Sequence, residues 1–101
     1  MKSELMNIIL GVVSEVCEVS GEEIRSMRKC DYIVEARSIF ATYCKRYGIP
    51  SGVIAKFLNR KRIQSVCEMY GNYAIFGKQS YSFRQMCEEV DRTLAVKCPR
   101  T

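Results

Sequence analysis

The residues best suited to chemistry in this sequence are the lysines and arginines of one central segment. Between Ala36 and Cys67 the chain carries seven basic residues and no acidic one, whereas the formal net charge of all 101 residues is +5. Basic side chains concentrated in this way bind polyanions, because each phosphate that they neutralise releases a counterion. A solvated basic face without a ligand is the alternative interpretation of such a charge run. The local excess indicates nucleic acid as the candidate partner.

The same segment has the pattern of a helix-turn-helix between about residues 51 and 76. Two short helical patterns flank the polar turn Asn59-Arg60-Lys61, and asparagine tolerates the left-handed backbone of such a turn. The second helix is predicted to open with Arg62-Ile63-Gln64-Ser65, before its apolar positions begin. Because a helix-turn-helix offers the first turn of its second helix to the major groove of DNA, these four residues are the predicted base-reading residues.

Other classes of function have little support in the composition. Histidine is absent and the six cysteines form no CxxC pair, so we predict no metal site, no cofactor and no enzymatic activity. Widely spaced cysteines of this kind indicate a reduced, cytoplasmic environment. The apolar run from Ile8 to Val13 is far shorter than the roughly 18 residues of a membrane span, and no site for a small-molecule substrate is evident.

Helical periodicity without convincing strand alternation predicts an all-α fold with about six helices, in a single domain over residues 1–101. The first helix is predicted from about Ser3 to Cys17, and a short helix capped by Ser20 and Glu23 follows it. A long helix is predicted from an Asp31 cap to about Tyr47. Its end is the best-marked boundary, with Gly48 as a left-handed cap, Ile49 as the accompanying apolar contact and Pro50 behind them.

The boundaries of the last three helices follow from weaker signals. Ser51 is predicted to cap the first motif helix. Gly71 and Gly77 weaken the second motif helix, so a loop is predicted from Gly77 to Ser80. The last helix is predicted to begin at Ser82 with Gln85 completing a capping box, and the tail from Lys97 is predicted to fray. The residues of the last helix that are predicted to face the core are Phe83, Met86, Cys87, Val90 and Leu94.

Two further groups of side chains allow a functional or a structural interpretation. Cys30 lies next to Lys29 near a helix start, where a reactive thiolate is favoured. The preferred interpretation is that Cys30 is a partly exposed residue of the segment that joins two helices. Tyr70, Tyr73, Tyr81 and Phe76 could stack on single-stranded nucleic acid. At their spacing, Tyr70, Tyr73 and Phe76 are predicted instead to cover the core. Cys17, Cys44, Cys67 and Cys87 fall at helical core positions, where cysteine acts as a small hydrophobe.

The order of these elements resembles the C-terminal DNA-binding domain of the bacterial replication initiator DnaA, which has a Trp-repressor-like helix-turn-helix fold. The resemblance covers roughly Ile8 to Leu94. The family's motif segment typically reads I-G-x-x-F-G-G-R-D-H-T-T-V, and here it corresponds to Ile54 through Val66, which reads IAKFLNRKRIQSV. The framework positions match, whereas the family's Asp-His-Thr-Thr is replaced by Arg62, Ile63, Gln64 and Ser65. No P-loop motif of the kind that precedes this domain in DnaA occurs in the chain.

The resemblance implies a set of DNA-binding roles. Arginine fits the O6 and N7 atoms of guanine and glutamine fits adenine, so the changed residues can read bases, although we do not expect recognition of the standard DnaA box. Lys61 matches the family's turn arginine and keeps a charge for phosphate. Lys29 matches a basic-joint residue that enters the minor groove, with Arg28 beside it. The residues expected to hold the DNA backbone are Arg37, which matches a family arginine that contacts DNA, together with Ser51, Lys56, Arg60 and Lys61.

The sequence therefore predicts a double-stranded DNA-binding domain, with a role in replication initiation or its regulation implied by the resemblance. The rival hypothesis is a DnaA-like helical module that binds another protein and no longer binds DNA. Ile63 supports the rival, because an exposed apolar side chain suits a protein groove, although isoleucine also contacts the thymine methyl group.

Overall fold

The computed structural model describes residues 2–97, and within this range every regular element is a helix. The predicted all-α fold and the predicted number of helices are both confirmed. The residues that follow Lys97, including Cys98 and most of the tail predicted to fray, lie outside the described range. The helices are α1 (Lys2–Cys17), α2 (Gly21–Arg25), α3 (Asp31–Arg46), α4 (Ser51–Phe57), α5 (Ile63–Gln79) and α6 (Tyr81–Lys97).

Helix α3 is the centre of the molecule, because the other helices pack around it. Every residue from 36 to 41 is buried, so almost the whole circumference of α3 is in contact with protein. Helices α1, α2, α4 and α5 all contact it, and α6 packs against α1 and α5. One cluster of buried side chains draws on all six helices. A helix buried on all sides can hold its neighbours at defined positions relative to one another.

Aromatic side chains connect α3, α5 and α6 where these three helices pack together. The ring of Tyr73 makes edge contacts with Tyr43 and Phe83, at centroid distances of 6.3 and 5.5 Å. The ring of Phe76 lies 5.4 Å from that of Phe83, and the Tyr43 hydroxyl donates to the Cys87 carbonyl at 3.2 Å. The prediction that Tyr70, Tyr73 and Phe76 cover the core is confirmed, because all three are partly buried against it, whereas Tyr81 is exposed.

Two local capping signals in the first half of the chain, at Ser20 and at Gly48, are confirmed. Ser20 Oγ accepts from the Glu23 N–H at 3.1 Å, and Glu23 Oε1 accepts from the Ser20 N–H at 3.2 Å, which completes the capping box. Gly48 has φ +86°, and the N–H groups of Gly48 and Ile49 donate to carbonyls of the last turn of α3. With Ile49 buried, this is a Schellman motif.

Three predicted boundaries are wrong. Asp31 is the first residue of α3, and its N-cap is Cys30, which makes no side-chain capping bond. Pro50, not Ser51, is the N-cap of α4. Ser80, not Ser82, caps α6, because its hydroxyl accepts from the Phe83 N–H at 3.2 Å. In each case a capping residue type stands within two positions of the real cap, and sequence alone does not settle which one the backbone uses.

The predicted loop from Gly77 to Ser80 is also wrong, since α5 continues through both glycines to Gln79. Each internal glycine costs about 1 kcal/mol relative to alanine. Packing of Val66, Met69 and the aromatic residues of α5 outweighs this cost, because tertiary contacts dominate helix stability. Cys67, predicted to be in the core, is exposed on the opposite side of α5, whereas Cys44 and Cys87 are buried as predicted and Cys17 is half-buried.

Two glycine substitutions should separate the conformational role of Gly48 from ordinary helix propensity. Gly48→Ala should lower the free energy of unfolding by about 1 kcal/mol or more, because alanine is strained at a φ of +86°. The matched control, Gly11→Ala, should raise it by about 0.5 to 1 kcal/mol, because a methyl group on that exposed position of α1 meets nothing within 4 Å. Urea unfolding followed by circular dichroism measures both. Equal effects of the two substitutions would contradict the assignment of Gly48 as a left-handed cap.

Candidate nucleic-acid interface

The turn between α4 and α5 is built by local backbone bonds. Leu58 is buried and ends α4, and Asn59 adopts φ 60°, as predicted for this turn. The Arg60 N–H donates to the Ala55 carbonyl at 2.8 Å, which closes the turn. Arg62 is the N-cap of α5, so its side chain projects from the junction of the turn with the helix. The helix-turn-helix pair consists of α4, residues 58–62 and α5.

The residues predicted to read bases lie together at the start of α5. Arg62, Ile63 and Gln64 are exposed and Ser65 is half-buried. Ile63 has 53% of its surface exposed, and its side chain lies beside Gly52 at the beginning of α4. Lys56 on α4 and Lys61 in the turn are exposed as well. The motif therefore presents three cations and one large apolar side chain to solvent at one end.

A cleft connects this end of α5 with the segment between α2 and α3. That segment, Met27-Arg28-Lys29-Cys30, is the basic joint, and its Arg28 and Lys29 are exposed. The cleft has a volume of about 310 Å³. Its polar lining comes from the basic joint, α3, the turn and α5, through Lys29, Arg37, Arg60, Ser65, Glu68 and Asn72. The structure thus places Lys29 and Ser65, which are far apart in sequence, on the same cleft.

Arg37 has a structural position that the sequence did not indicate. Only 5% of its surface is exposed, and its Nε donates to the Ile24 carbonyl at 2.8 Å. One terminal nitrogen donates to the carbonyls of Ser26 at 2.8 Å and Glu23 at 3.2 Å. The predicted role of Arg37 in holding the DNA backbone is therefore corrected, because the guanidinium donors are directed at the end of α2. Burial, with a smaller contribution from Arg60, lowers the Arg37 pKa to about 10, so the side chain remains charged at neutral pH.

Arg60 is the second corrected residue, because it also bonds to protein. It is half-buried, and its two terminal nitrogens donate to the Leu58 carbonyl at 2.9 Å and the Ser26 carbonyl at 3.0 Å. The Ser26 carbonyl consequently accepts from both Arg37 and Arg60. Burial lowers the Arg60 pKa from its ordinary value. Arg60 thereby links the helix-turn-helix turn to the basic joint.

Arg25 completes this arrangement, although sequence reasoning did not select it. Its Nε donates to the Phe57 carbonyl at 2.8 Å, and its guanidinium lies 4.6 Å from the centroid of the Phe57 ring. The three residues Arg25, Arg37 and Arg60 are called the arginine clasp here. They use charge-assisted bonds to satisfy carbonyls at the ends of α2 and α4, where helices leave carbonyls without intrahelical partners. The clasp joins the basic joint to the turn that precedes α5.

Ser51 is a third residue whose predicted contact with the DNA backbone needs correction. Its hydroxyl lies 2.9 Å from the Tyr70 hydroxyl, so the side chain connects α4 to α5. Lys45, which is exposed, lies over the same tyrosine, with its Nζ 4.5 Å from the ring centroid. The signal in the sequence that points to Lys45 is its place in the basic segment between Ala36 and Cys67.

The cations at the start of α5 have no acidic partners. Within residues 2–97 the ion pairs are Arg28–Glu23 at 3.4 Å and Arg92–Glu89 at 2.9 Å, both at the surface. Exposed pairs of this kind contribute little to stability. Lys56, Lys61 and Arg62 therefore keep their full charge available for a polyanion. The nearest acid in the lining of the cleft is Glu68, one turn beyond Gln64 on α5.

Residues 2–97 contain no group of three or more histidine, cysteine or acidic side chains that could hold a metal ion. None of the described helices is both long enough and apolar enough to cross a membrane.

Comparison of the chain with protein-family models, curated protein sequences and solved structures gave no match.

Substituting Arg37 tests whether the clasp is structural. Arg37→Met should lower the free energy of unfolding by about 2 to 3 kcal/mol, because buried carbonyls of α2 lose charge-assisted hydrogen bonds. The matched control, Arg62→Met, removes an exposed arginine and should change stability by less than about 0.5 kcal/mol. Denaturant unfolding in the absence of DNA measures both effects. An Arg37→Met protein as stable as the control would contradict the structural role.

Proposed function

We propose that this chain binds double-stranded DNA through a DnaA C-terminal-like helix-turn-helix, with the first turn of α5 in the major groove. The observation that carries the proposal is the coincidence of unpaired cations with the start of α5. Lys61 and Arg62 are exposed and without acidic partners at the point where a helix-turn-helix meets the groove. The position of Lys29 on the adjoining cleft supports a second contact with the same duplex.

The proposed contacts divide into base reading and backbone positioning. Arg62 and Gln64 would form hydrogen bonds with base edges, while Ile63 would contact a thymine methyl group and Ser65 a base or a phosphate. Lys56, Lys61 and Lys45 would neutralise phosphates on the flanks of the groove. Arg28 and Lys29 would reach the adjacent minor groove or its phosphates.

The arginine clasp would act on DNA indirectly. Arg37 and Arg60 share the Ser26 carbonyl, one residue before the basic joint begins. They would therefore set the distance between the basic joint and α5. In this proposal α5 enters the major groove and the basic joint reaches the adjacent minor groove, so this distance must match the spacing of the two grooves. Arg37, Arg60 and Ser51 are accordingly positioning residues here.

The resemblance to DnaA suggests that the process served is replication initiation or its regulation. A cytoplasmic location follows from the proposed partner. A second candidate function, docking of another protein on the same end of α5, is favoured by one observation, the 53% exposure of Ile63. The two candidates differ in their salt dependence, because DNA binding releases counterions and an apolar interface does not.

Two substitutions should separate base reading from phosphate contact. Arg62→Ala should reduce affinity for the preferred duplex by about 1 to 3 kcal/mol and relax its sequence preference. Lys56→Ala should weaken all duplexes alike and reduce the salt slope by about 1. Fluorescence anisotropy with a random duplex pool and a DnaA-box duplex at two salt concentrations, followed by sequencing of the bound DNA, measures both. Absence of salt-sensitive binding by the unmodified chain would exclude the DNA proposal and leave the protein-docking candidate.

A double-mutant cycle tests the positioning role of Arg60. If Arg60 holds the basic joint against α5, the loss of affinity caused by Lys29→Ala should shrink in an Arg60→Met background, since Lys29 would no longer be held at its groove. Lys56→Ala is the control, because the exposed Lys56 side chain is not held by Arg60 and its effect should add to that of Arg60→Met. Additive effects for both pairs would show that Arg60 acts on its own and not through the basic joint.

A further inference from the structure

The outward face of α5 beyond its first turn has an unusual composition for a solvent-exposed helix. Between Ser65 and Gly77 the only residue charged at neutral pH is Glu68. Ile75 is 51% exposed, and a Cβ on Gly71 would meet no heavy atom within 4 Å, so the space beside Gly71 is open. Exposed helix faces of soluble proteins normally carry charged and polar residues. This face is therefore a candidate contact surface.

Four exposed residues form a single stripe along this face: Glu68, Gly71, Ile75 and Lys78. Their spacings of three, four and three residues keep them on one side of a helix. The order is also symmetric about residue 73. Glu68 and Lys78 each lie five residues from it, and Gly71 and Ile75 each lie two residues from it. Glu68 and Lys78 are about 15 Å apart along the axis, at 1.5 Å per residue, so they cannot pair with each other within one helix.

We propose that this stripe binds the same stripe of a second copy of the chain, with the two α5 helices antiparallel. A two-fold axis at the level of residue 73 would place each Ile75 side chain against the other copy's Gly71, where no side chain obstructs the approach. The same axis would place each Glu68 opposite the other copy's Lys78, which gives two ion pairs from residues that have none in the single chain. Such an interface is self-complementary in both shape and charge, as a two-fold contact requires.

The contact would be weak and reversible. One helix pair buries less than the roughly 800 Å² per partner of a standard stable interface, so a transient dimer is expected. Glu68 lies one turn beyond Gln64 on α5, so the second copy would end close to the base-reading turn. Self-association would then compete with entry of α5 into the DNA groove. The dimer stands without the proposed function, whereas this competition rests on it.

Charge reversal tests the dimer without DNA. Sedimentation of the full chain from micromolar to millimolar concentration should show a concentration-dependent dimer. Glu68→Lys and Lys78→Glu should each weaken it about tenfold, because both symmetric ion pairs become repulsive. The double variant should restore the original affinity, since each pair is re-formed with exchanged signs. A double variant as weak as the single variants would overturn the antiparallel arrangement.

A second pair of variants tests the apolar contact. Ile75→Arg should abolish the dimer, whereas Val96→Arg, at another exposed apolar residue on α6, should leave it intact. Thermal unfolding by circular dichroism confirms that both variants are folded. A chain that stays monomeric at every concentration, or a dimer that tolerates Ile75→Arg, would overturn the proposal. Because no DNA is present, failure of DNA binding would affect only the proposed function.

Discussion

The geometry of the candidate interface depends on the buried guanidinium of Arg37. Helix α2 has five residues, too few to be stable alone, and the carbonyls at its end need hydrogen-bond donors from outside the helix. Arg37 reaches from α3 and donates to three of them. A buried cation is costly unless its donors are satisfied, and three carbonyls on one short helix provide that satisfaction. Arg37, together with the buried Ile24, holds the end of α2 and the start of the basic joint to the central helix.

The rest of the arrangement follows from what α3 touches. Because α3 is buried on nearly all sides, α2 at one end and α4 and α5 along its length are placed by the same rigid element. The Schellman motif at Gly48 and Ile49 turns the chain from α3 into α4 without a long loop. Arg25 and Arg60 then connect the end of α4 and the turn to α2. Two segments that are distant in sequence are thereby held at one cleft.

The basic residues around the helix-turn-helix fall into two groups with different chemistry. Arg37 and Arg60 donate to backbone carbonyls and act as structural cross-links. Arg62 and the neighbouring lysines carry the same charge, but they keep it available because none of them forms an ion pair within residues 2–97. The local charge excess in the sequence is therefore larger than the charge that the surface presents. A binding site inferred from charge alone includes residues whose hydrogen-bond donors are already bonded to backbone carbonyls, such as Arg37 and Arg60.

Sequence determined several features of this protein that depend on close neighbours along the chain. The capping box at Ser20, the left-handed cap at Gly48 and the left-handed turn at Asn59 follow from local hydrogen bonding and backbone sterics, which act the same way in any fold. The helical class and the apolar face of α6 follow from periodicity. Tertiary structure decided the course of α5 through its two glycines and the burial of Arg37. It also decided the contact of Ser51 with Tyr70. Each of these depends on partners between about 10 and 20 residues away in sequence or on other helices, and the free energy of those contacts exceeds the local preferences that sequence expresses.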